Sequence, residues 1–239
     1  RGGWRLSGQK TWASRGAFAD WCFGLFRSDP AAERHRGLTY FLVPLDAPGV
    51  TVRPIPQLDG ETGFAELFFE DVFVPDAQVL GGVDDGWRVA MATASSERGL
   101  SLRSPARYTE AAERLVDLFA ERAASDPEAA SSCADAVARA WIDAEAYRLN
   151  TLWTATRVQD GGTVGAEASA NKIHWSETDL AIHRTALELL GASAETAGDG
   201  ATGTWLDGYL FALAGPIYAG TNEIQRNVVA ERLLGLPRS

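Results

Sequence analysis

The sequence is poor in the residues that mark disulfide-bonded, metal-binding and membrane proteins. Only two of its 239 residues are cysteine, Cys22 and Cys133, and three are histidine. The cysteine spacing matches no disulfide framework or metal site, which fits a reducing compartment. No run of about 18 apolar residues is present, and the first residues lack the apolar stretch of a signal peptide. We therefore predict a cytoplasmic protein without a membrane span or a metal centre.

Positive charge is also scarce. Lysine occurs only at Lys10 and Lys172, and 32 aspartates and glutamates outweigh 22 lysines and arginines, so the formal net charge is −10. This balance argues against nonspecific nucleic-acid binding, although it leaves room for a local basic site that binds an anionic ligand. With 46% hydrophobic and 23% charged residues, the chain has the composition of a folded protein with a sizeable core.

Before residue 82 the sequence has the pattern of a β domain. Short apolar segments rich in β-branched and aromatic residues alternate with turn residues, and several of them end at a proline. Segments of this length and composition are typical of strands. We predict a small antiparallel β domain over residues 1–82, either open or barrel-like. Its strands are expected at residues 4–7, 21–26, 38–43, 50–53, 67–69 and 72–74.

After residue 82 the apolar residues recur at helical spacing. Asp126 followed by Pro127 has the pattern of a helix start, and Gly191 has that of a helix end. The small and polar residues 194–203 are typical of a loop. We predict a second domain over residues 83–239, a bundle of roughly five helices, so the fold class is α+β. Its later helices are expected at residues 165–190, 204–214 and 222–234.

A first candidate site lies in residues 8–14, where Trp12 and Ser14 stand two positions apart. Residues at this spacing on a regular strand share a face. The indole could then stack on a flat ring while the hydroxyl bonds the edge of that ring. Taken alone, however, the stretch is better explained by a packed indole and a solvent-facing hydroxyl.

A second candidate is Glu97, which with Arg98 interrupts an otherwise uncharged run from Val89 to Leu102. A carboxylate is costly to bury in an apolar helix unless it is paired or used. Desolvation would raise its pKa toward that of a general base, and the neighbouring cation would oppose this shift. A glutamate on an exposed helix surface explains the pattern equally well.

The third candidate lies in residues 217–227, where a loop enters a helix through Gly220 and Thr221. The free N–H groups at a helix N-terminus can bind an anion such as a phosphate. Ordinary helix capping by Thr221 is the simpler explanation if the motif stands alone.

Together, in this order and spacing, these stretches resemble the acyl-CoA dehydrogenase family. The family signatures are Gly-x-Lys-x-Trp-x-Ser, Phe-x-x-Val-x-Val-Pro, Gly-Trp-x-x-Ala-Met and Gly-Thr-Asn-Glu-Ile-Gln-Arg, which stand here at residues 8–14, 69–75, 86–91 and 220–226. The resemblance covers essentially the whole chain. It implies a flavoprotein, with FAD shared across a subunit interface, that removes hydrogens from Cα and Cβ of an acyl thioester. Complete members carry a helical domain before the β domain, and we expect that this domain is either truncated here or supplied by another chain.

The resemblance also implies where the catalytic base lies. In many members a glutamate stands directly before the Gly-Thr pair, but here that position is Ala219, whose methyl group cannot take a proton. A branch that includes the isovaleryl- and long-chain-type enzymes places the base before an arginine on the first helix after the β domain, where this chain has Glu97 and Arg98. The resemblance therefore implies that Glu97 abstracts the α proton, that Arg98 tunes its pKa, and that hydride passes to flavin N5.

Further roles come from the same resemblance. The backbone N–H of Ala219 would bind the thioester carbonyl, with Tyr218 and Gly220 beside the substrate. Trp12 would pack against the flavin and Ser14 would bond its N5 edge. Thr221 and Glu223 match positions that contact the dinucleotide, and Gly191 matches one that approaches the pyrophosphate of a neighbouring subunit. A glutamine of that segment is replaced here by Glu188, whose carboxylate would be repelled by a pyrophosphate.

The resemblance implies partners as well: an acyl-CoA or acyl-carrier thioester, an electron-transfer flavoprotein as acceptor, and a homotetramer or a heterotetramer with a second subunit of the same type. The Arg-x-x-Phe-Gly segment that reaches a partner's flavin is missing, since residues 121–126 read Glu-Arg-Ala-Ala-Ser-Asp. This departure favours an unlike partner chain. Two alternatives stay open: a monooxygenase or oxidase of the same fold, and a non-catalytic subunit of a heteromeric complex.

Overall fold

A computed structural model describes residues 2–100, 104–195 and 201–237. The chain divides into two compact units, Arg1–Ser95 and Ser96–Ser239. The division between the units falls inside the first helix, which begins at Gly86. The domain boundary that the sequence predicts, between residues 82 and 83, stays a prediction.

The first unit is an antiparallel β domain of two three-stranded sheets. The strands pair in the orders β1-β5-β4 and β2-β3-β6. Apolar side chains from both sheets, among them Leu6, Phe41 and Val72, form one buried cluster. The predicted antiparallel β domain is thereby confirmed, and the choice between an open and a barrel-like form stays a prediction. The strands are β1 (Gly3–Ser14), β2 (Trp21–Arg27), β3 (Leu38–Pro44), β4 (Val50–Ile55), β5 (Phe64–Pro75) and β6 (Val79–Leu80).

Strand β5 joins two segments for which the sequence predicts separate strands, residues 67–69 and 72–74. The intervening Asp71 has a left-handed backbone with φ 52°. The register of β1 against β5 shifts between Leu6 and Gly8 at the same place. A β-bulge therefore absorbs the charged residues that look like a turn in the sequence.

The second unit is helical, and with the β domain it confirms the predicted α+β fold class. Its core contains Tyr108, Tyr147 and Trp175, and the rings of Tyr108 and Tyr147 meet edge to face with centroids 5.0 Å apart. The helices are α1 (Gly86–Leu100), which begins in the first unit, α2 (Ala106–Ser125), α3 (Pro127–Gln159), α4 (Glu167–Leu190), α5 (Ala201–Ala212) and α6 (Asn222–Val228). A 3-10 turn covers Gly191–Glu195, and a π-helical turn, Val229–Leu233, continues α6.

The helix boundaries follow the capping chemistry of the sequence. The carboxylate of Asp126 accepts a hydrogen bond from the Ala129 N–H at 3.1 Å, with Pro127 as the first helical residue of α3. Gly191 ends α4 with φ 57°. The loop predicted for residues 194–203 is wrong at both ends, since the 3-10 turn reaches Glu195 and α5 begins at Ala201. Residues 196–200 of that loop lie outside the described residues.

Two general predictions of the sequence concern membranes and metals. No helix in the described part of the chain is both long enough and apolar enough to cross a bilayer. Over the same residues, no group of three or more histidine, cysteine, aspartate or glutamate side chains is arranged to hold a metal ion.

Candidate active site

The centre of the candidate site is a strained turn before α6. Ala219 and Gly220 both have left-handed backbones, with φ 54° and 86°. For a residue with a side chain, this conformation costs of order 1–3 kcal/mol and persists only where the surroundings impose it. Both residues are exposed. The turn is therefore a place where the fold holds backbone groups at the surface in an unusual orientation.

Gln225 holds the turn from inside. Its side chain is 1% exposed, and Nε2 donates to the carbonyl oxygens of Ala219 at 3.1 Å and Gly220 at 3.4 Å. A Cβ atom on Gly220 would lie 2.4 Å from that nitrogen. Glycine is therefore required at position 220 both by its φ and by the close approach of Gln225.

The carbonyls of Ala219 and Gly220 are bonded to Gln225, but the N–H groups of the same two residues are not bonded in this way. Among the described residues, no backbone or side-chain acceptor takes the N–H of Ala219 or Gly220. An exposed N–H pair on a rigid turn is suited to bind a carbonyl or oxyanion of a ligand. Tyr218 precedes the pair, with its ring centroid 5.7 Å from that of Trp175.

The start of α6 is capped by its own side chains. Thr221 Oγ1 accepts a hydrogen bond from the Ile224 N–H at 3.3 Å. Hydrogen bonds from the backbone of Glu223 and from the Thr221 hydroxyl lower the pKa of the Glu223 carboxyl. Ordinary helix capping, one of the two explanations that the sequence left open, therefore accounts for the hydrogen bonds of the Thr221 hydroxyl and the Glu223 carboxyl. Any contact of Thr221 and Glu223 with a dinucleotide stays a prediction.

Trp12 and Ser14 lie near the end of β1 in the first unit. Trp12 has φ 58°, and the register of β1 against β5 shifts between Lys10 and Ala13. The expectation that Trp12 and Ser14 share a face rests on regular strand geometry, which this bulge interrupts. The indole is 62% exposed, so the packed-indole explanation is wrong.

Gly191 borders an open groove of about 490 Å³ between α4 and α5. Arg184 and Glu188, one helical turn apart, bring opposite charges to it. A Cβ atom on Gly191 would meet nothing within 4 Å. The groove is also lined by Leu187, Ala194, Leu206, Tyr209 and Leu210. The sequence interpretation named Gly191 and Glu188 but missed Arg184. The guanidinium of Arg184 could attract a pyrophosphate, which the carboxylate of Glu188 would repel.

Glu97 and Arg98 belong to α1. Their side chains lie outside the described residues, so their roles stay predictions. Of the predicted site residues, the structure brings Tyr218, Ala219, Gly220, Thr221 and Glu223 together in one turn and the helix start that follows. Trp12 and Ser14 belong to the first unit, and Gly191 lies at the end of α4 in the second.

The sequence interpretation missed two residues beneath the turn, Lys172 and Asn222, whose side chains are 6% and 2% exposed. One signal was present: Lys172 is one of only two lysines in the sequence.

Comparison with known proteins decides the family. Residues 84–234 match the family model of the acyl-CoA dehydrogenase C-terminal domain, and residues 1–72 match that of the middle domain. The chain belongs to the acyl-CoA dehydrogenase family. The resemblance inferred from the sequence motifs is thereby confirmed.

Relatives and solved structures agree with this assignment. The chain is 40% identical over 238 residues to acyl-CoA dehydrogenase IpdE1 of Mycobacterium tuberculosis, covering 98% of this chain and 60% of that protein. It is similar in structure to a protein described as the Tcur3481-Tcur3483 steroid ACAD, with a TM-score of 0.83 and 26% identity over 100% of this chain and 62% of the other. The ChsE4-ChsE5 complex of Mycobacterium tuberculosis gives 0.82 and 26%, covering 100% and 63%.

Proposed function

We propose that this chain forms part of an FAD-dependent enzyme that dehydrogenates an acyl-CoA thioester between Cα and Cβ. The observation that carries the proposal is the N–H of Ala219, which lies on an exposed left-handed turn and has no acceptor in the described part of the chain, at the position where the family binds the thioester carbonyl. The chain spans about 60% of the length of the relative IpdE1, so the activity is that of the longer protein.

The turn at residues 218–221 acts on the thioester carbonyl. Removing the α proton places negative charge on the carbonyl oxygen, and a fixed N–H donor stabilises that charge more than it stabilises the neutral carbonyl. The carbonyls of Ala219 and Gly220 are already bonded to Gln225, so the turn need not rearrange when the oxygen becomes negative. Tyr218 and Gly220 flank this donor and are proposed to contact the acyl group.

Glu97 is the proposed base for the α proton. Ala219 occupies the alternative position of the base in the family, and its methyl group accepts no proton. Arg98, the next residue along α1, is proposed to lower the pKa of Glu97 and keep it ionised. Of the two positions at which family members carry the base, this chain has a carboxylate only at Glu97.

The residues present fit FAD in two respects. Trp12 offers an indole that is 62% exposed, as a partner for a flat ring system, with Ser14 nearby on β1. The groove beside Gly191 combines apolar walls with the cation of Arg184, which would attract the negative charge of a dinucleotide, while the carboxylate of Glu188 in the same groove would oppose it. Bound FAD would supply the hydride acceptor. Thr221 and Glu223 are proposed to contact it by hydrogen bonds.

The assembly is proposed to be a tetramer of the helical region, with acyl-CoA as substrate, electron-transfer flavoprotein as acceptor and the cytoplasm as location. A second candidate is a heteromer in which this chain is the non-catalytic subunit. The missing Arg-x-x-Phe-Gly segment favours this second candidate, and so does the similarity to the two-chain complexes Tcur3481-Tcur3483 and ChsE4-ChsE5. In it, the partner chain would carry a glutamate at one of the two positions of the base.

The decisive experiment is anaerobic titration of the full-length protein, alone and with any partner chain that copurifies, against linear, branched and steroid-derived acyl-CoA thioesters. Bleaching of bound flavin by at least one thioester supports the proposal. Flavin that is reduced but reoxidised at once by air, with an oxygenated product, points instead to an oxidase or monooxygenase. A preparation that binds no flavin contradicts the cofactor assignment.

A further inference from the structure

A charged side chain is buried beneath the turn at residues 218–221. Lys172 of α4 is 6% exposed, and its Nζ donates a hydrogen bond to Asn222 Oδ1 at 2.7 Å. Asn222 is the first residue of α6 and follows the turn directly. An ammonium group is expensive to bury unless it is well bonded, so this contact needs a physical reason beyond packing.

Asn222 is fixed to α4 at several points. Its side chain lies within hydrogen-bond distance of Ser176 Oγ, at 3.1 and 3.2 Å, and of Glu177 Oε1, at 3.3 Å. Its backbone N–H donates to the carbonyl of Pro216 at 2.9 Å, which closes the loop that contains the turn. The position of Asn222 relative to α4 therefore fixes one end of the turn.

The surroundings of Lys172 balance its charge. Burial lowers the pKa of Lys172, while the carboxylates of Glu223 and Glu177 oppose that shift. Glu177 is itself paired with Arg226. The Nζ atom also lies 5.8 Å from the centroid of the Trp175 ring. Two carboxylates thus face the ammonium group from α4 and from the start of α6, and both favour its charged form.

The turn needs support on both sides because its backbone is strained. Gln225 holds the carbonyls of Ala219 and Gly220 from inside α6. We propose that Lys172 is a positioning residue: through Asn222 it fixes the turn at residues 218–221, so that the N–H of Ala219 is held where it binds the thioester carbonyl. The part of this inference that concerns the reaction rests on the function proposed above.

The test compares three variants of the full-length holoenzyme. Lys172→Met removes the ammonium group and keeps much of the side-chain volume, and Asn222→Ala removes the acceptor of the same bond. The control is Asn171→Ala, next to Lys172 on α4, where Asn171 accepts a hydrogen bond from Asn150 at 2.9 Å. If Lys172→Met does not fold, Lys172→Leu takes its place, because Asn222→Ala also removes the bonds to Ser176 and Glu177 and reports only what Asn222 contributes.

Two measurements are made on each variant. Amide hydrogen exchange reports the turn through the bonded amides at its two ends, Tyr218, which donates to the carbonyl of Ala214 at 3.0 Å, and residue 222, which donates to that of Pro216 at 2.9 Å. It is expected to be at least ~10-fold faster in the two test variants and unchanged in the control. The rate constant of flavin reduction at saturating acyl-CoA, per bound flavin, is expected to fall at least ~10-fold, with a smaller change in the half-saturating concentration, because a donor to the carbonyl acts mainly in the transition state.

The outcomes separate the two proposals. If these bonded amides exchange at the wild-type rate in the variant that lacks the Lys172 ammonium group, the positioning role is overturned, whatever the activity and whatever the result for Asn222→Ala. Faster exchange with an unchanged reduction rate shows that Lys172 holds the turn but that the reaction does not depend on it, which also overturns the inference. If no acyl-CoA reduces the wild-type flavin, the proposed function fails, and the exchange measurement alone decides whether Lys172 positions the turn.

Discussion

The buried side-chain amide of Gln225 donates a hydrogen bond to the carbonyl of Ala219, 3.1 Å away. This contact turns the carbonyl of a left-handed alanine toward the protein, and the N–H of the same residue has no acceptor among the described residues. The side chain of Gln225 thus helps to hold the N–H of Ala219 at the surface, in a left-handed conformation that is unfavourable for alanine.

Gly220→Ala is expected to destabilise the second unit and disorder the turn. The new Cβ atom would lie 2.4 Å from Gln225 Nε2, and the φ of 86° is unfavourable for any side chain. Gly161→Ala is the matched control, because Gly161 has the same φ of 86° and open space around it. We expect the control to lose about 1 kcal/mol of unfolding free energy from backbone strain alone, and Gly220→Ala to lose more. Equal losses in urea titrations of the two variants would contradict the described packing.

Trp12→Ala is expected to weaken flavin binding with little effect on stability. The indole is 62% exposed, so its removal leaves the core of the first unit intact. An aromatic ring that covers a flavin contributes of order 1–3 kcal/mol, which corresponds to a rise in the dissociation constant of roughly 5- to 150-fold. Trp21→Ala, at a tryptophan 50% exposed on β2, serves as control. Fluorescence titration with FAD and thermal unfolding distinguish the two effects, and equal flavin affinity in both variants would argue against the role of Trp12.

Cys22 is expected to react slowly with alkylating agents near neutral pH. Burial raises the pKa of the Cys22 thiol to about 11, although the nearby charge of Lys10 opposes the shift. Because the thiolate is the nucleophile, only about 0.1% of the thiol is reactive at pH 8, against about a quarter for an ordinary cysteine. Iodoacetamide labelling of a Cys133→Ser variant should therefore accelerate up to about pH 11. A plateau near pH 9 in the folded protein would contradict this environment, and the urea-unfolded protein provides the reference.

The features that could be predicted from the sequence are those decided by local chemistry. Asp126 and Thr221 cap the helices that their positions predict, because a short oxygen-bearing side chain before a helix satisfies a free N–H wherever the helix packs. The strands of the first unit also follow their apolar and turn residues, and the sequence motifs are sufficient to identify the family.

The features that could not be predicted depend on contacts between distant residues. Left-handed backbones at Trp12 and Ala219 are imposed by the surrounding fold, since neither residue type favours them. The contact between Lys172 and Asn222 joins positions 50 residues apart, and no local sequence pattern predicts which residue Lys172 contacts. The bulge at Asp71, likewise, depends on how β5 pairs with β1.

The most direct test of the account is the rate of flavin reduction in Glu97→Gln. Glutamine keeps the shape of glutamate but cannot accept the α proton, so we expect flavin to stay bound and its reduction by a good acyl-CoA substrate to slow by roughly a hundredfold or more. Adding Ala219→Glu to this variant should restore part of the rate, because it places a carboxylate at the alternative position of the base. The measurement is single-turnover reduction under anaerobic conditions, in the full-length protein with its partner chain where one copurifies. A near-normal rate in Glu97→Gln would contradict the assignment of the base.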